Sequence, residues 1–214
     1  MGEQMHCPLC NSQSAIPFHE DWRRPYLRCN NCFLVFVPPD YYLTREQERA
    51  EYDLHQNRVD NAGYRAFLSR LARPLQERLP VSARGLDFGC GPAPALACML
   101  GEAGFAVALY DSFYAPNTNV LRASYDFICA TEVVEHLHRP GFELARLWAL
   151  LAPGGWLGVM TKLVLDAAAF AHWHYKNDPT HVCFFSEQTW RWWACEVGAG
   201  VEFIGADVIL LGPK

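Results

Sequence analysis

Four cysteines in the first 32 residues of this 214-residue chain form two close pairs. Cys7 and Cys10 are separated by two residues, as are Cys29 and Cys32, and 18 residues lie between the pairs. Each pair places two thiolates on one side of a tight loop, and two such loops together offer Zn²⁺ a tetrahedron of sulfur. Because all four positions would be filled, we expect a closed, structural site inside a zinc ribbon with two short strands.

The segment between the cysteine pairs leaves the role of this ribbon open. It contains Trp22, Arg23, Arg24, Tyr26 and Arg28, a mixture of aromatic and basic side chains that is typical of an RNA or partner contact. The alternative is a small lid that packs on the rest of the protein while its arginines are solvated. We favour the lid, because residues 1–40 contain only three arginines against four acidic residues.

A second group of residues is arranged to bind a nucleoside. Gly89 and Gly91 follow a short apolar run, where glycine lets the backbone approach a ligand closely. Asp111 ends the next apolar run, where a carboxylate can accept hydrogen bonds from both hydroxyls of a ribose. The dinucleotide pattern G-x-G-x-x-G fails, because Pro94 occupies its third glycine position. A nucleoside with little charge therefore fits better than a pyrophosphate.

Four separate motifs in this part of the chain resemble those of class I S-adenosylmethionine-dependent methyltransferases. The sequence LDFGCGP at 86–92 is similar to the glycine-rich first motif of that family, and Asp111 matches its ribose-binding acid. The sequence YDFICATEVVEHL at 125–137 is similar to the fourth-strand motif, and LAPGGWL at 151–157 to the turn before the fifth strand. All four in the family's order are a specific signal, and the resemblance covers about residues 84–162.

The resemblance implies a role for each matching residue. The backbone of the glycine-rich turn would hold the amino-acid part of the cofactor, the acid after the second strand would hold its ribose, and the next residues would flank the adenine. The end of the fourth strand would lie beside the reacting centre. The candidates are Asp87, Phe88, Gly89, Cys90, Gly91, Asp111, Ser112, Phe113, Thr131 and Glu132.

One stretch departs from the family pattern. Tyr125 follows Asp111 by only 14 positions, whereas the family usually has a helix and a further strand there. The intervening residues are too few for both. The adenine would then need another partner, and Asn117 and Asn119 are the candidates.

Glu132, Glu135 and His136 have the i, i+3, i+4 spacing that places side chains on one face of a helix. This arrangement resembles the metal site of the plant small-RNA 2′-O-methyltransferase and of some ubiquinone-pathway O-methyltransferases, which add a distant histidine, here His181. A divalent metal there would lower the pKa of a substrate hydroxyl and orient it. The alternative is that these residues cap or pack a helix without metal.

The segment that contains His172, His174 and His181 lies where substrate loops of the family often occur. We predict that His181 is the general base, because a neutral imidazole can take a hydroxyl proton near pH 7. A buried or capping histidine is the alternative for all three. Glu135 and His136 complete the set of predicted catalytic residues.

The remaining patterns predict the elements that position these groups. Strands are predicted by apolar runs at 85–89, 105–110, 125–130 and 156–161, and helices are predicted at 93–103 and 132–151. This alternation indicates an α/β, Rossmann-like, mostly parallel sheet with helices on both faces. Residues 44–79 predict a helix that starts at a Thr44–Gln47 capping box and is kinked or split at Pro74.

These elements give three predicted domains. Residues 1–40 form the zinc ribbon, 41–82 a helical linker or lid, and 83–214 the S-adenosylmethionine-binding domain. Within the linker, Tyr52, His55, Asn57 and Tyr64 are candidates to close over the cofactor, although a plain surface helix is the alternative.

Composition limits the partners. The chain has 18 basic and 23 acidic residues and a net charge of −5, so nucleic-acid binding through bulk charge is not favoured. No apolar run approaches the ~20 residues of a membrane span, and no secretory signal is evident, so we expect a cytoplasmic enzyme. We predict O-methylation of a small hydroxylated acceptor. Alternatives are an RNA or sugar-C methyltransferase and a non-catalytic S-adenosylmethionine-binding module. The sequence leaves the oligomeric state open.

Overall fold

The computed structural model describes residues 5–54 and 57–214. The N-terminal part is a small antiparallel sheet in which β1 (Ala15–Glu20) pairs with β2 (Pro25–Cys29) and β2 with β3 (Val35–Phe36). The two strands expected between the cysteine pairs are therefore present. The fourth strand of this sheet, β8 (Cys183–Phe184), comes from much later in the chain and pairs with β3.

Two helices follow the ribbon, after a 3-10 turn at Pro39–Tyr41. α1 (Arg45–Tyr52) begins at the predicted capping box, in which Thr44 and Gln47 exchange hydrogen bonds. α2 (Ala62–Gln76) has its own N-terminal cap from Asn61 and buries Leu68, Leu71 and Leu75. The predicted single helix is thus split between Tyr52 and Ala62 and not at Pro74, which α2 accommodates within its last turn.

In the part of the chain that the structure describes, the main sheet has six strands in the order β5-β4-β6-β7-β10-β9. The pairs β4–β5, β4–β6 and β6–β7 are parallel, whereas β10 runs antiparallel to both of its neighbours. The strands are β4 Arg84–Phe88, β5 Ala106–Tyr110, β6 Tyr125–Thr131, β7 Leu151–Met160, β9 Gly200–Ile204 and β10 Val208–Gly212. Because only β10 is reversed, the predicted mostly parallel, Rossmann-like sheet is confirmed.

Helices cover both faces of this sheet. α2 and α3 (Ala95–Glu102) pack on one face around Phe127 and Cys129. α4 (Pro140–Ala149) and α6 (Glu187–Val197) belong to the other face, where Trp148 meets Trp193 edge to face. A shorter helix, α5 (Ala167–Ala171), and a 3-10 turn at His174–Asn177 lie between β7 and β8. Within 5–54 and 57–214, no helix combines the length and the apolar character that crossing a membrane requires.

The short stretch after Asp111 carries no third parallel strand, as its length predicts. It contains a 3-10 helix at Thr118–Arg122 and a single isolated bridge between Asp111 and Ala115. Among the described residues, β5 is therefore the edge strand on this side of the sheet.

The predicted helix over 132–151 is wrong in its first half. β6 ends at Thr131, and Glu132 then adopts a left-handed backbone conformation with φ of 52°. A 3-10 turn at Val134–His136 follows, and the α-helix starts only at Pro140. A non-glycine residue in the left-handed region cannot continue a right-handed helix, so the chain turns here before α4 begins.

The ribbon is joined to the rest of the protein by close contacts. The amide of Gly141, at the start of α4, donates to the carbonyl of Pro8 over 3.2 Å. A Cβ atom at position 141 would stand 2.1 Å from the carbonyl oxygen of Leu9, so only glycine fits. Tyr26 packs against Phe170 and Phe184 with ring centroids 5.0 and 5.8 Å apart. The ribbon and the main domain thus share one apolar core.

Candidate active site and four-cysteine cluster

The four predicted zinc ligands meet at one point. The Sγ atoms of Cys7 and Cys32 are 3.4 Å apart, those of Cys10 and Cys29 are 3.5 Å apart, and all four lie within 4.8 Å of one another. Tetrahedral zinc with Zn–S bonds of ~2.3 Å needs sulfur separations of about 3.8 Å, so the donor set fits this metal.

Both cysteine turns are built in the same way. The amide of Asn11 donates to the carbonyl of Cys7, and the amide of Phe33 donates to that of Cys29, over 2.9 and 3.1 Å. Asn11 and Phe33 both have left-handed backbones, with φ of 60° and 63°. The repeated turn aims each pair of sulfurs inward and explains why the C-x2-C spacing predicts the cluster.

A cavity of about 830 Å³ opens where β4, β5 and β6 end. This is the edge at which open α/β sheets bind ligands. All ten residues predicted to contact the cofactor line it, and so do His136 and His181, whereas Glu135 lies beneath its surface. The structure therefore brings together residues that are up to 94 positions apart in the sequence.

Asp111 organises the floor of this cavity. Its Oδ2 accepts a hydrogen bond from the amide of Gly91 over 3.0 Å, and its Oδ1 accepts from the amides of Phe113 and Tyr114 over 2.8 and 3.0 Å. Gly91 has a φ of 62°, and a Cβ atom there would meet nothing within 4 Å. One carboxylate thus holds the glycine turn and the loop after β5 in a fixed relation.

Asp87 offers the cavity a buried carboxyl group. The residue is 2% exposed, and its Oδ1 atom has no hydrogen-bond partner within the described part of the protein. Burial raises the pKa of this carboxyl to about 7. An orphaned acidic oxygen is costly unless a ligand partners it, which fits the ammonium group of an amino acid.

Glu132 combines a strained backbone with a buried side chain. Its left-handed conformation is held by a 2.8 Å hydrogen bond from its amide to the carbonyl of Met160. Its Oε2 is 3.3 Å from the Tyr175 hydroxyl, and burial raises the pKa of the carboxyl to about 7. Strained non-glycine residues of this kind are concentrated at functional sites.

Glu135 is fully buried beside Glu132. Its Oε1 accepts a hydrogen bond from the Tyr175 hydroxyl, which also lies 3.3 Å from Thr161 Oγ1, and its Oε2 has no partner among residues 5–54 and 57–214. Burial and the nearby charge of Glu132 raise the pKa of Glu135 to about 8. Tyr175 therefore bridges two carboxyl groups that hold protons near neutral pH.

Two histidines stand next to this carboxyl pair, each oriented through Nδ1. His181 Nδ1 lies 2.7 Å from the carbonyl oxygen of Tyr175, which only accepts, so Nδ1 carries the hydrogen. His136 Nδ1 lies 2.9 Å from Thr180 Oγ1, whose own hydrogen is donated to Asp178 Oδ1 over 2.6 Å; His136 Nδ1 is therefore the donor to Thr180. When either ring is neutral, its basic lone pair is therefore on Nε2.

Three of the four residues considered for a second metal do come together. Ligand atoms of Glu135, His136 and His181 lie within 4.8 Å of one another, and Glu132 is not part of the group. The prediction that the two glutamates and His136 share a helix face is wrong, because this segment is a left-handed residue followed by a 3-10 turn. The cluster forms through tertiary contacts with residues 175–181.

Comparison with known sequences decides the family. A family described as "Methyltransferase domain" matches residues 55–202 of the chain. The chain belongs to this methyltransferase family. As the four motifs predict, it is an S-adenosylmethionine-dependent methyltransferase. A search of curated proteins finds no match to the methyltransferase.

Solved structures share the fold of the methyltransferase. One is the 1,6-didemethyltoxoflavin-N1-methyltransferase of Burkholderia thailandensis with bound S-adenosylhomocysteine, at 17% identity and a TM-score of 0.55, covering 92% of this chain and 99% of that one. Another is the magnesium protoporphyrin IX methyltransferase of Synechocystis PCC 6803, at 14% identity and a TM-score of 0.53, covering 82% and 97%. These likenesses concern the fold.

α1 of the methyltransferase lies over the cavity. Tyr52 meets Phe113 on one side and His136 on the other, with ring centroids 5.6 and 5.3 Å apart. Arg45 Nη2 donates to the carbonyl of Ser112 over 2.6 Å. Of the four linker residues considered as a lid, Tyr52, Asn57 and Tyr64 line the cavity, and His55 lies outside the described residues.

Some predicted candidates lie elsewhere. His172 and His174 are exposed and do not contribute to the described lining of the cavity, and His174 Nε2 is 2.9 Å from Lys162 Nζ. The Asn117 side chain caps the 3-10 helix at Thr118–Arg122 by accepting from the amide of Asn119.

The sequence interpretation missed several lining residues. Arg139, Glu143 and Arg146 of the α4 region face the cavity, and an ion pair joins Glu143 to Arg146. Their i, i+4 and i+7 spacing on a helix was the available signal. Tyr175 lies in the histidine-rich segment considered for substrate binding, but no motif indicates its contacts with the two glutamates.

Proposed function

We propose that the cavity binds S-adenosylmethionine and that the protein transfers its methyl group to an oxygen of a small hydroxylated acceptor. The backbone between Asp87 and Gly91 would hold the amino-acid part, with the Asp87 carboxyl facing the ammonium. Asp111 would hold the ribose, and Phe113 would flank the adenine. Support comes from the unpartnered Asp87 oxygen and from the position of all these groups at one cavity edge.

The single observation that carries the acceptor proposal is the orientation of His181. Its ring lines the same cavity, and the 2.7 Å contact from Nδ1 to the Tyr175 carbonyl puts the basic lone pair on Nε2. Asp178 Oδ2 lies 3.7 Å from Nε2, where its charge stabilises an imidazolium. A histidine held in this way can accept the proton of a hydroxyl group.

The reaction then balances without any further reactant. When bound, S-adenosylmethionine supplies an electrophilic methyl group on a sulfonium leaving group. The acceptor oxygen forms a bond to the methyl carbon, the carbon–sulfur bond breaks with its electrons going to sulfur, and the hydroxyl proton moves to His181 Nε2. Thr131 and Glu132 would border the reacting atoms, and Tyr52 of the 41–82 lid would exclude water from above.

Two metal sites accompany this proposal. Zinc at Cys7, Cys10, Cys29 and Cys32 would be structural, because four sulfurs leave no open coordination position. As an alternative to proton transfer to His181, Glu135, His136 and His181 would hold a second divalent ion, with Nδ1 hydrogen bonds from both imidazoles orienting their Nε2 atoms. That ion would lower the pKa of the acceptor hydroxyl in place of the His181 base, because an Nε2 atom bound to a metal has no lone pair left for a proton.

RNA methylation is less well supported, because one of the ribbon arginines considered for RNA binding is buried. Arg24 is 6% exposed, and its guanidinium is engaged by carbonyl groups inside the protein. An RNA substrate still predicts salt-sensitive RNA binding that weakens in Arg23→Ala and Arg28→Ala. A sugar-C methyltransferase would methylate a carbon atom of its acceptor, and a non-catalytic module would bind the cofactor without consuming it.

Calorimetry followed by turnover separates these functions. S-adenosylhomocysteine should bind at micromolar concentration, and S-adenosylmethionine should be consumed with one or more members of a pool of hydroxylated metabolites. Binding without turnover on any pool would favour the module. Absence of binding would overturn the proposed function altogether.

His181→Asn tests the base. Asparagine keeps a donor near the position of Nδ1 but has no basic nitrogen, so turnover should fall ~100-fold or more while S-adenosylhomocysteine binding persists. His172→Asn is the matched control and should leave turnover unchanged. Equal turnover of His181→Asn and the native protein would refute the role of His181.

The second metal is tested by chelation. If the ion replaces the His181 base, activity should fall on removal of divalent ions by a chelator that spares zinc at the four cysteines, and Mg²⁺ or Mn²⁺ should restore it. Activity that is indifferent to the chelator would exclude a catalytic metal at Glu135, His136 and His181.

A further inference from the structure

The tip of the ribbon hairpin contacts the loop that carries His181. Arg24 lies between β1 and β2, and its guanidinium packs against the loop formed by residues 174–181. Its Nη2 donates to the carbonyls of Lys176, Asp178 and His181 over 3.0, 2.9 and 2.8 Å, and its Nη1 donates to that of Pro179 over 3.1 Å. A single side chain thus binds four backbone carbonyls of one short loop.

The environment of Arg24 makes these bonds strong. The residue is 6% exposed, and its Nε donates to the Tyr26 hydroxyl over 3.2 Å. Hydrogen bonds from a charged donor are about twice as strong as neutral ones, and buried carbonyls that lose their partner are costly. Water cannot easily replace the guanidinium in this position.

An ion pair joins the tip of the ribbon hairpin to the same loop at a second point. Lys176 Nζ lies 2.7 Å from Asp21 Oδ2, and both side chains are largely buried. Asp21 Oδ1 accepts hydrogen bonds from the amides of Arg23 and Arg24 over 2.9 and 3.2 Å. Burial opposes the charge of Asp21, but these bonds and Lys176 lower its pKa to about 2. The pair therefore persists across the physiological pH range.

The clamped loop contains groups that orient His181. The carbonyl of Tyr175 binds Nδ1, Asp178 faces Nε2, and the carbonyl of His181 itself is bound by Arg24. Movement of this loop by about 1 Å would displace the imidazole from any acceptor in the cavity, and a displacement of that size costs catalysis heavily.

We propose that Arg24 is a positioning residue for methyl transfer and that the zinc ribbon, through this side chain, is part of the frame of the active site. The inference rests on the proposed role of His181. Zinc fixes the base of the hairpin, and Arg24 at its tip fixes the loop from which the histidine projects.

Arg24→Lys tests this proposal, with Arg23→Ala as the matched control. Lysine keeps the charge but cannot reach four carbonyls with one nitrogen. Arg23 is exposed and donates to the side chain of Asn177 on the same loop, so its removal leaves the four carbonyl contacts intact. Amide exchange of residues 174–181 should accelerate ~10-fold or more in Arg24→Lys and stay unchanged in Arg23→Ala.

The imidazole of His181 supplies a readout that loss of stability alone would not give. In spectra of protein with ¹⁵N-labelled histidine, the native His181 should show the Nδ1–H tautomer, and Arg24→Lys should show a mixture. Zinc content and S-adenosylhomocysteine affinity should remain within about two-fold, which establishes that the variant is folded. Unchanged exchange and an unchanged tautomer would overturn the proposal.

Asp21→Asn provides a second variant should Arg24→Lys not fold. It weakens the pair with Lys176 and keeps Arg24, so the loop exchange should accelerate in the same direction by a smaller factor. The outcome is independent of the base assignment. If His181→Asn turns over normally, the proposed function of His181 fails, while the exchange and tautomer data still decide whether Arg24 positions the loop.

Discussion

The two clusters of potential metal ligands differ in how the chain assembles them. The four cysteines come from two identical turns, each closed by its own backbone hydrogen bond. Glu135, His136 and His181 come from two segments separated by residues 137–180, and each histidine depends on a partner outside its own turn. A local cluster is encoded by spacing, whereas a tertiary cluster is encoded by the whole fold.

The largest effect should come from breaking the local cluster. Cys29→Ser removes one sulfur of the proposed zinc site, so bound zinc should be lost and the ribbon should loosen. Because β3 pairs with β8 and Tyr26 packs on Phe170, the destabilisation should spread to the main domain. We expect the Tm to fall by ~10 °C in a single transition.

Cys195→Ser is the control, because this cysteine is exposed and outside the cluster. It should keep one zinc per chain and the native Tm. Retention of one zinc per chain by Cys29→Ser, measured by elemental analysis, would contradict the assignment of the ligands.

The next effect concerns the cavity. Asp111→Ala removes the carboxylate that fixes the glycine turn and is proposed to bind the ribose, so S-adenosylhomocysteine affinity should fall by about 1–3 kcal/mol. Asp60→Ala, at an exposed position, should leave it unchanged. An affinity equal to the native value in calorimetry would remove Asp111 from the binding site.

The pH dependence of the Tm tests whether Glu135, in the tertiary cluster, is protonated in the folded protein. The pKa of Glu135 is raised in the folded state to about 8 from its ordinary 4.5, so the folded protein holds this proton more tightly. Its contribution to stability is therefore complete below pH 4.5 and is lost as the pH rises through 8. In Glu135→Gln, the decline of the Tm between about pH 5 and 8 should become shallower.

Glu196→Gln, at an exposed site on α6, is the control and should follow the native profile. If the Tm of Glu135→Gln also follows the native pH profile, the Glu135 carboxyl is ionised in the folded protein. A cation bound to Glu135, His136 and His181 then becomes the explanation to test.

The smallest effect concerns α1, part of the proposed lid. Thr44→Ala removes the capping box of α1 and should cost about 1 kcal/mol, or ~3 °C in Tm. Zinc content should not change, because α1 supplies none of the four sulfurs. A Tm within about 1 °C of the native value would show that α1 contributes little to the stability of the cavity roof.

Much of the fold follows from local signals. The C-x2-C pairs, the capping box at Thr44 and the short stretch after Asp111 were sufficient to predict a ribbon, a helix start and a missing strand. Each of these depends on residues close in sequence, where spacing and backbone geometry determine the structure.

What the sequence did not predict depends on distant partners. The predicted helix does not begin at Glu132, because contacts with Met160 and Tyr175 hold this residue in a left-handed conformation. Arg24 was expected to be solvated, because nothing near it in sequence shows that residues 176–181 supply its acceptors. Such contacts have no periodicity and no motif.

The glycine at the start of α4 has a practical consequence for protein engineering. The first cysteine turn packs directly on Gly141, where there is no room for a side chain. A fragment lacking the ribbon would therefore expose the helix backbone and apolar surface to water. Grafting another ribbon onto this enzyme would succeed only if the donor presents the same carbonyl oxygens at that point of contact.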